Sequence, residues 1–176
     1  MIYNSIVKGR FISRPNRFIA YAEIDGKEEI CHVKNTGRCR ELLIPEADII
    51  LEISDNPNRK TKFDLISVYK NGRLINIDSQ APNKIAAELL PKLFPDYIIK
   101  PEQKYKNSRF DFYLESANKR AFAEVKGVTL ENENIVMFPD APTERGVKHI
   151  NELIQAAENG FDAYILFIIQ MNQVKY

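Results

Sequence analysis

Ser108-Arg-Phe-Asp-Phe-Tyr-Leu114 and Ala121-Phe-Ala-Glu-Val-Lys-Gly127 read as two strands joined by the polar turn Ser116–Arg120. Side chains alternate along a strand, so Arg109, Asp111 and Tyr113 are expected on one face and Phe110, Phe112 and Leu114 on the other. Glu124 and Lys126, two apart, share a face, with Ala121, Ala123 and Val125 opposite. Where the charged faces coincide, Asp111 and Glu124 offer carboxylate oxygens to one hard divalent cation, Mg or Mn. The Val125 carbonyl then serves as a third ligand, and waters complete an octahedron. Lys126 beside the cation can orient or help deprotonate a water and offset charge building on a scissile phosphate. That is the chemistry of phosphodiester hydrolysis.

Outward from this pair, Asn83–Leu90 places Ile85, Ala86, Leu89 and Leu90 on one helical face, and Pro91 is expected to end or kink the helix. Tyr97–Tyr105 reads as a strand. After the loop Thr129–Ala141, the residues Val147, Ile150, Ile154 and Ala157 recur at helical spacing, from Pro142 near the first turn to Gly160 just past the end. The continuous run Ala163–Ile169 is expected to be a central strand covered on both faces. Residues 81–176 therefore read as an α/β domain. Upstream, from Ser5 to Asp78, short β-type segments are broken by turn residues: Asn16–Asp25, Glu28–Val33, Ala47–Ser54, Phe63–Lys70 and Arg73–Asp78. Asn71-Gly72 supplies the two positive-φ residues of a type I′ hairpin. Five or six short strands without a helix imply a small closed barrel over residues 1–80, with the boundary near Ser79–Pro82.

The 176 residues are 44% apolar and 28% charged, which excludes disorder. A net charge of +1 excludes a uniformly basic nucleic-acid binder, so any basic surface is local. Residues 1–40 are the basic pole, with eight Lys and Arg against four acids. Two cysteines and two histidines support neither a disulfide framework nor a tetrahedral zinc site. Met1–Arg10 is too polar for a secretory signal, and Ala163–Ile169 is far too short to span a membrane, so a soluble, cytoplasmic protein is expected.

Asp111, then about a dozen residues, then Glu124-x-Lys126, resembles the PD-(D/E)xK nuclease superfamily, whose α-β-β-β-α-β order the second half reproduces. A closer resemblance spans nearly the whole chain. Arg17-Phe-Ile-Ala20, His32-Val-Lys-Asn-Thr-Gly-Arg38, Glu41-Leu-Leu-Ile-Pro45, Ser108-Arg-Phe-Asp-Phe112, Glu124-Val-Lys-Gly-Val-Thr129 and Phe138-Pro-Asp-Ala-Pro-Thr-Glu-Arg-Gly-Val-Lys-His149 resemble the sugar fermentation stimulation protein A (SfsA) family. Lys34 departs from it, where proline is usual, as does Cys39, where methionine is usual. The resemblance implies an N-terminal OB-like barrel and a C-terminal PD-(D/E)xK nuclease-like α/β domain with a mixed central sheet. It also implies DNA binding linked to regulation of sugar, especially maltose, metabolism, and a chain that typically continues beyond Tyr176.

Further site residues are read beside plainer alternatives. Glu88, one position from the apolar stripe of its helix, either reaches the metal or stays solvated. Arg145 and Lys148, on the first turns of a helix, form a phosphate cradle. His149 reads as a packing or hydrogen-bonding residue rather than a catalyst. Arg10, Arg14 and Arg17 interleave with Phe11, Phe18 and Tyr21, as on a single-strand-binding surface, although alternation favours core for the aromatics. Asn35-Thr-Gly-Arg38 can bring amides and arginine to a phosphate or be a plain turn. The function expected is DNA binding with Mg-dependent phosphodiester hydrolysis. The alternative is a non-catalytic DNA-binding regulator that uses the nuclease-like domain for grip alone.

Overall fold

The computed structural model describes residues 1–140 and 142–175. Ala141, inside one of the quoted motifs, and Tyr176 lie outside the described residues. Two compact units emerge: Met1–Gln80 together with residues 133–135 and 170–175, and Ala81–Asn132 together with Val136–Ile169.

The first unit is built from β1 (Ile6–Ser13), β2 (Ile19–Ile24), β3 (Lys27–Val33), β4 (Asp48–Ile53), β5 (Phe63–Lys70) and β6 (Arg73–Asn76). They pair in the order β3-β2-β1-β4-β5-β6, and a parallel pairing from Cys31↔Phe63 to Val33↔Leu65 closes the first five into an OB barrel. Alternation supplies its core, with Ala20, Ala22, Cys31, Val33, Leu51 and Leu65 facing inward. At Gly9 a Cβ would stand 2.7 Å from the Glu23 carbonyl oxygen, so β1 and β2 can approach this closely only over glycine. Asn71 (φ 51°) and Gly72 (φ 77°) make the β5–β6 hairpin turn anticipated from Asn-Gly. The outer side of β6 receives a returning segment. Asn76 N–H donates to the Gln170 carbonyl at 2.8 Å, Gln170 Nε2 donates to the Asn76 and Asp78 carbonyls at 3.1 and 3.2 Å, and Met171 bridges to Ile75.

The second unit contains α1 (Ala81–Leu93), β7 (Ile98–Tyr105), β8 (Ser108–Glu115), β9 (Arg120–Val128), β10 (Leu130–Asn132), all but the first residue of β11 (Ile135–Met137), α2 (Glu144–Glu158) and β12 (Asp162–Ile169). Its main sheet has the order β12-β9-β8-β7; β7, β8 and β9 are antiparallel and β12 is parallel to β9, so the sheet is mixed. Ala86 and Leu90 of α1 pack on one face with Phe112, Leu114, Ala121, Ala123 and Val125. On the other, Leu153 and Ala156 of α2 pack with Phe110 and Phe122. Among the described residues no helix is long and apolar enough to cross a membrane.

Several expectations need correction. Ala163–Ile169 lies in an edge strand, not a central one. Tyr164, Leu166 and Ile168 face α1, whereas Phe167 is 52% exposed, because an apolar run reports burial tendency and not which edges find a partner. On α2 the buried positions are Gly146, His149, Glu152, Leu153 and Ala156, and the apolar repeat Val147, Ile150, Ile154 is exposed. The sheet-facing stripe is rotated toward polar residues because His149 has a charged partner beneath it, described below. Pro91 sits inside α1, which runs on to Leu93, with Phe94 N–H donating to the Leu90 carbonyl at 2.8 Å. The loop Thr129–Ala141 contains the short strands β10 and β11. Strict alternation also fails in β8. Tyr113 and Phe122 are cross-strand partners on one face, and Phe110 lies 5.0 Å from Phe122 on that same face, while Phe112 is on the other. The switch falls at Asp111, opposite Glu102, whose φ is 52°.

Candidate metal and nucleic-acid site

Asp111 occupies the place where the β8–β9 ladder stops. Pairing runs from Glu115↔Arg120 to Phe112↔Ala123, and the next β8-facing amide of β9, Val125 N–H, donates to Asp111 Oδ2 at 2.7 Å. A strand residue directs its N–H and C=O to the same side, so the Val125 carbonyl opens on the gap that Asp111 fills. From the first turn of α1, Asn83 Nδ2 donates to Asp111 Oδ1 at 2.8 Å. Burial, reinforced by the nearby Glu124 charge, pushes the Asp111 carboxyl above its ordinary value despite the opposing Val125 and Asn83 hydrogen bonds.

Glu124 is buried on β9. Its Oε1 accepts from Lys126 Nζ at 2.6 Å and from His149 Nδ1 at 2.5 Å, with the carboxylate as acceptor placing the proton on Nδ1. Its Oε2 is buried with no hydrogen-bond partner. An unpaired carboxylate oxygen in a buried site is costly unless something positive completes it. His149 is brought there by the start of α2: Thr143 caps the helix, its Oγ1 accepting from Gly146 N–H at 3.0 Å, and the Phe110 ring stands edge-on to the imidazole with centroids 6.3 Å apart. The sequence placed His149 among hydrogen-bonding residues but gave no sign that its partner is Glu124.

Asp111, Glu124, Val125 and Lys126 are thus gathered at one end of β9, with His149 and Asn83 added. Glu88 is exposed on α1, and among the described residues no three His, Cys, Asp or Glu side chains gather as a metal-holding group. Two carboxylates and a carbonyl remain an adequate set for a hard cation that retains several waters, and the open Glu124 Oε2 fits that role. Beside His149, a pocket of about 550 Å³ is lined by Arg109, Arg145 and Lys148. Lys148 Nζ also donates to the Asn107 carbonyl at 3.3 Å.

On the barrel, Arg14 is bound inward. Its Nη1 donates to the Gly37 and Arg38 carbonyls, both at 2.8 Å, and its Nη2 to those of Arg17 and Asn35 at 2.7 and 2.6 Å. Asn35 is similarly engaged, accepting from Gly37 N–H at 2.7 Å and donating to the Ile77 carbonyl at 2.8 Å. Arg10 pairs with Glu46 at 3.3 Å, whereas Arg17 and Arg38 are exposed. One polar centre escaped sequence reading altogether. Asp64, 2% exposed, receives Arg59 at 2.5 and 2.7 Å, Lys34 at 2.9 Å and His32 at 3.0 Å. Burial alone would raise its pKa, but those three donors hold it well below the usual carboxylate range.

Comparison with known proteins completes the picture. A family model described as the sugar fermentation stimulation protein RE domain matches residues 80–176, and one described as the SfsA N-terminal OB domain matches residues 12–77. The sugar fermentation stimulation protein homolog of Clostridium beijerinckii is 64% identical over 177 residues, which cover 99% of this chain and 78% of that protein. The homolog from Desulfitobacterium hafniense (strain Y51) is 61% identical over 178 residues, covering 100% of this chain and 78% of its own. The Pyrococcus furiosus SfsA structure in complex with Ca2+ matches with a TM-score of 0.85 at 32% identity, over 99% of this chain and 77% of that one. With both halves matched in order, the chain belongs to the sugar fermentation stimulation protein (SfsA) family.

Proposed function

We propose that this protein binds DNA and hydrolyses its phosphodiester bonds with Mg or Mn at Asp111, Glu124 and the Val125 carbonyl. The observation that carries this reading is the buried, unpaired Glu124 Oε2 beside Asp111, with the Lys126 ammonium against the other Glu124 oxygen. The Ca2+ in the P. furiosus relative's structure supports an oxygen-ligand cation site. A cation held there supplies Lewis-acid polarisation of a phosphoryl oxygen and lowers the pKa of water. The protein's own groups do the rest. Asn83 and Val125 N–H fix Asp111, and His149 fixes Glu124. Lys126 orients the attacking water and offsets charge as the new P–O bond forms and the bond to the leaving sugar oxygen breaks. Arg145 and Lys148 on one side, and Arg10, Arg17 and Arg38 on the barrel, receive backbone phosphates, while Arg14 and Asn35 shape the loop that carries Arg38. We assign the activity to the cytoplasm and, through the relatives' name, to sugar metabolism.

Mn-dependent cleavage of single- and double-stranded DNA, followed beside affinity by fluorescence anisotropy, tests this. Lys126→Ala should lower cleavage by about 10²–10³-fold and cost binding only about one phosphate contact. Glu124→Gln should abolish cleavage and cation binding measured by calorimetry, yet leave DNA affinity equal or tighter. Wild-type protein that binds DNA without cutting it, with both variants indistinguishable from it, would establish the regulator instead.

A further inference from the structure

We propose that a pocket on the barrel takes one unpaired nucleotide with its phosphate, so that the DNA engaged is single-stranded at that point. The inference rests on the DNA-binding reading and adds which form of DNA is recognised. The pocket, about 490 Å³, lies between the end of β1 with its following turn and the loop after β3, and four arginines line it: Arg14, whose guanidinium is bonded to backbone carbonyls, and the exposed Arg17, Arg38 and Arg40. No acidic residue is in its lining. Among the described residues Arg17, Arg38 and Arg40 have no carboxylate partner, in contrast to Arg10 on Glu46 and Arg59 on Asp64. Three exposed cations lining one concavity without an acid favour an anion there.

The pocket is also preformed. Arg14 ties the backbone of Arg17 on one rim to those of Asn35, Gly37 and Arg38 on the other, and Asn16 Oδ1 accepts from Phe18 and Ile19 N–H at 2.9 and 3.0 Å. Little ordering therefore remains to be done on binding. Phe11, Leu43, Pro15 and Pro45 contribute apolar wall. An inorganic phosphate would leave that wall and most of the volume unused, whereas a nucleotide places its phosphate on the exposed arginines and its base against Pro15, Pro45 and a guanidinium plane. In a duplex the base faces are already stacked, so a concave site of this kind is filled only by an unpaired base.

The test measures affinity for a blunt duplex, for the same duplex with a single-stranded overhang, and for a single-stranded oligonucleotide, with wild type, Arg38→Ala and Arg40→Ala. Deoxynucleoside monophosphate and inorganic phosphate are titrated separately by NMR. Overhang and single-stranded DNA should bind at least about tenfold more tightly than blunt duplex. Each variant should lose about tenfold on those two ligands and far less on the duplex, with the salt slope reduced by about one. The monophosphate should bind more tightly than phosphate. Thermal melts verify folding, and Arg38→Lys should fall between wild type and Arg38→Ala because it keeps the charge without the planar fork. Equal affinity for blunt and overhang DNA, or equal losses on both, would overturn the pocket and leave DNA binding standing. Phosphate bound as tightly as the nucleotide would also overturn it. Nucleotide binding that the variants lose, without any DNA binding, would keep the pocket and remove the DNA reading.

Discussion

Two aspartates, one buried and one half-buried, are opposite in character. Asp64, on β5 of the barrel, is enclosed by Arg59, Lys34 and His32, and its carboxyl is held below the ordinary range. Asp111, on β8, has a backbone amide and a side-chain amide for partners and another carboxylate nearby, and its carboxyl is pushed up. Burial raises the pKa of both, so the neighbours decide the sign. The first arrangement is electrostatically complete and closes the barrel where β3 meets β5, with His32 and Asp64 as cross-strand partners. In the second the nearby cation, Lys126, is bonded to Glu124, and the partners of Asp111 itself are neutral amides; perturbed carboxyls of this kind concentrate where ligands bind.

Substitution separates the two. Asp64→Asn should destabilise the barrel most, by about 3 kcal/mol, since it leaves Arg59, Lys34 and His32 around a neutral amide. Denaturant midpoints at neutral pH measure it. Because the folded pKa of Asp64 lies below the ordinary 3.8, its contribution is complete above that value and is lost as pH falls through and beneath it. Asp64→Asn should therefore flatten the acid limb of the stability profile. Lys34→Ala should cost about 1.5 kcal/mol, as one charged donor of three is lost. In metal-free buffer with chelator, Asp111→Asn should change stability by less than about 1 kcal/mol, in the stabilising direction. Its folded pKa lies above 3.8, so ionising it costs stability as pH rises through that value; the variant's gain should appear near neutrality and vanish in acid. A barrel that tolerates Asp64→Asn, or a second unit that collapses on Asp111→Asn, would break the contrast.

What could be read in advance follows from how local each determinant is. Phe63–Lys70 is a strand over the anticipated residues, and the turn at Asn71-Gly72 follows from two residues alone. Glu124 and Lys126 share a face because they are two apart on one strand, and their contact at 2.6 Å needs nothing else. Asp111 is expected to share a site with Glu124 on residue type and spacing, but its setting depends on where the β8–β9 ladder stops, which is decided between strands. The Asp64 centre collects residues 32, 34 and 59 only when the barrel closes, so no short-range pattern announces it. On α2 the apolar repeat indicated Ile150 and Ile154 as the buried side, because hydrophobic spacing carries no information about a histidine drawn inward by a glutamate on another strand.

The return of Gln170 and Met171 to β6 bears on the order in which the protein is made. Synthesis delivers the N-terminal barrel first, and domains generally fold as they emerge. Here the partners of Asn76 and Ile75 come from residues translated after β12, so the outer edge of β6 stays open on the ribosome until nearly a hundred further residues have been added. An open strand edge invites pairing with other chains. The nascent barrel is consequently most exposed to misassembly while the second unit is being translated, and slow decoding between α1 and β12 prolongs that interval.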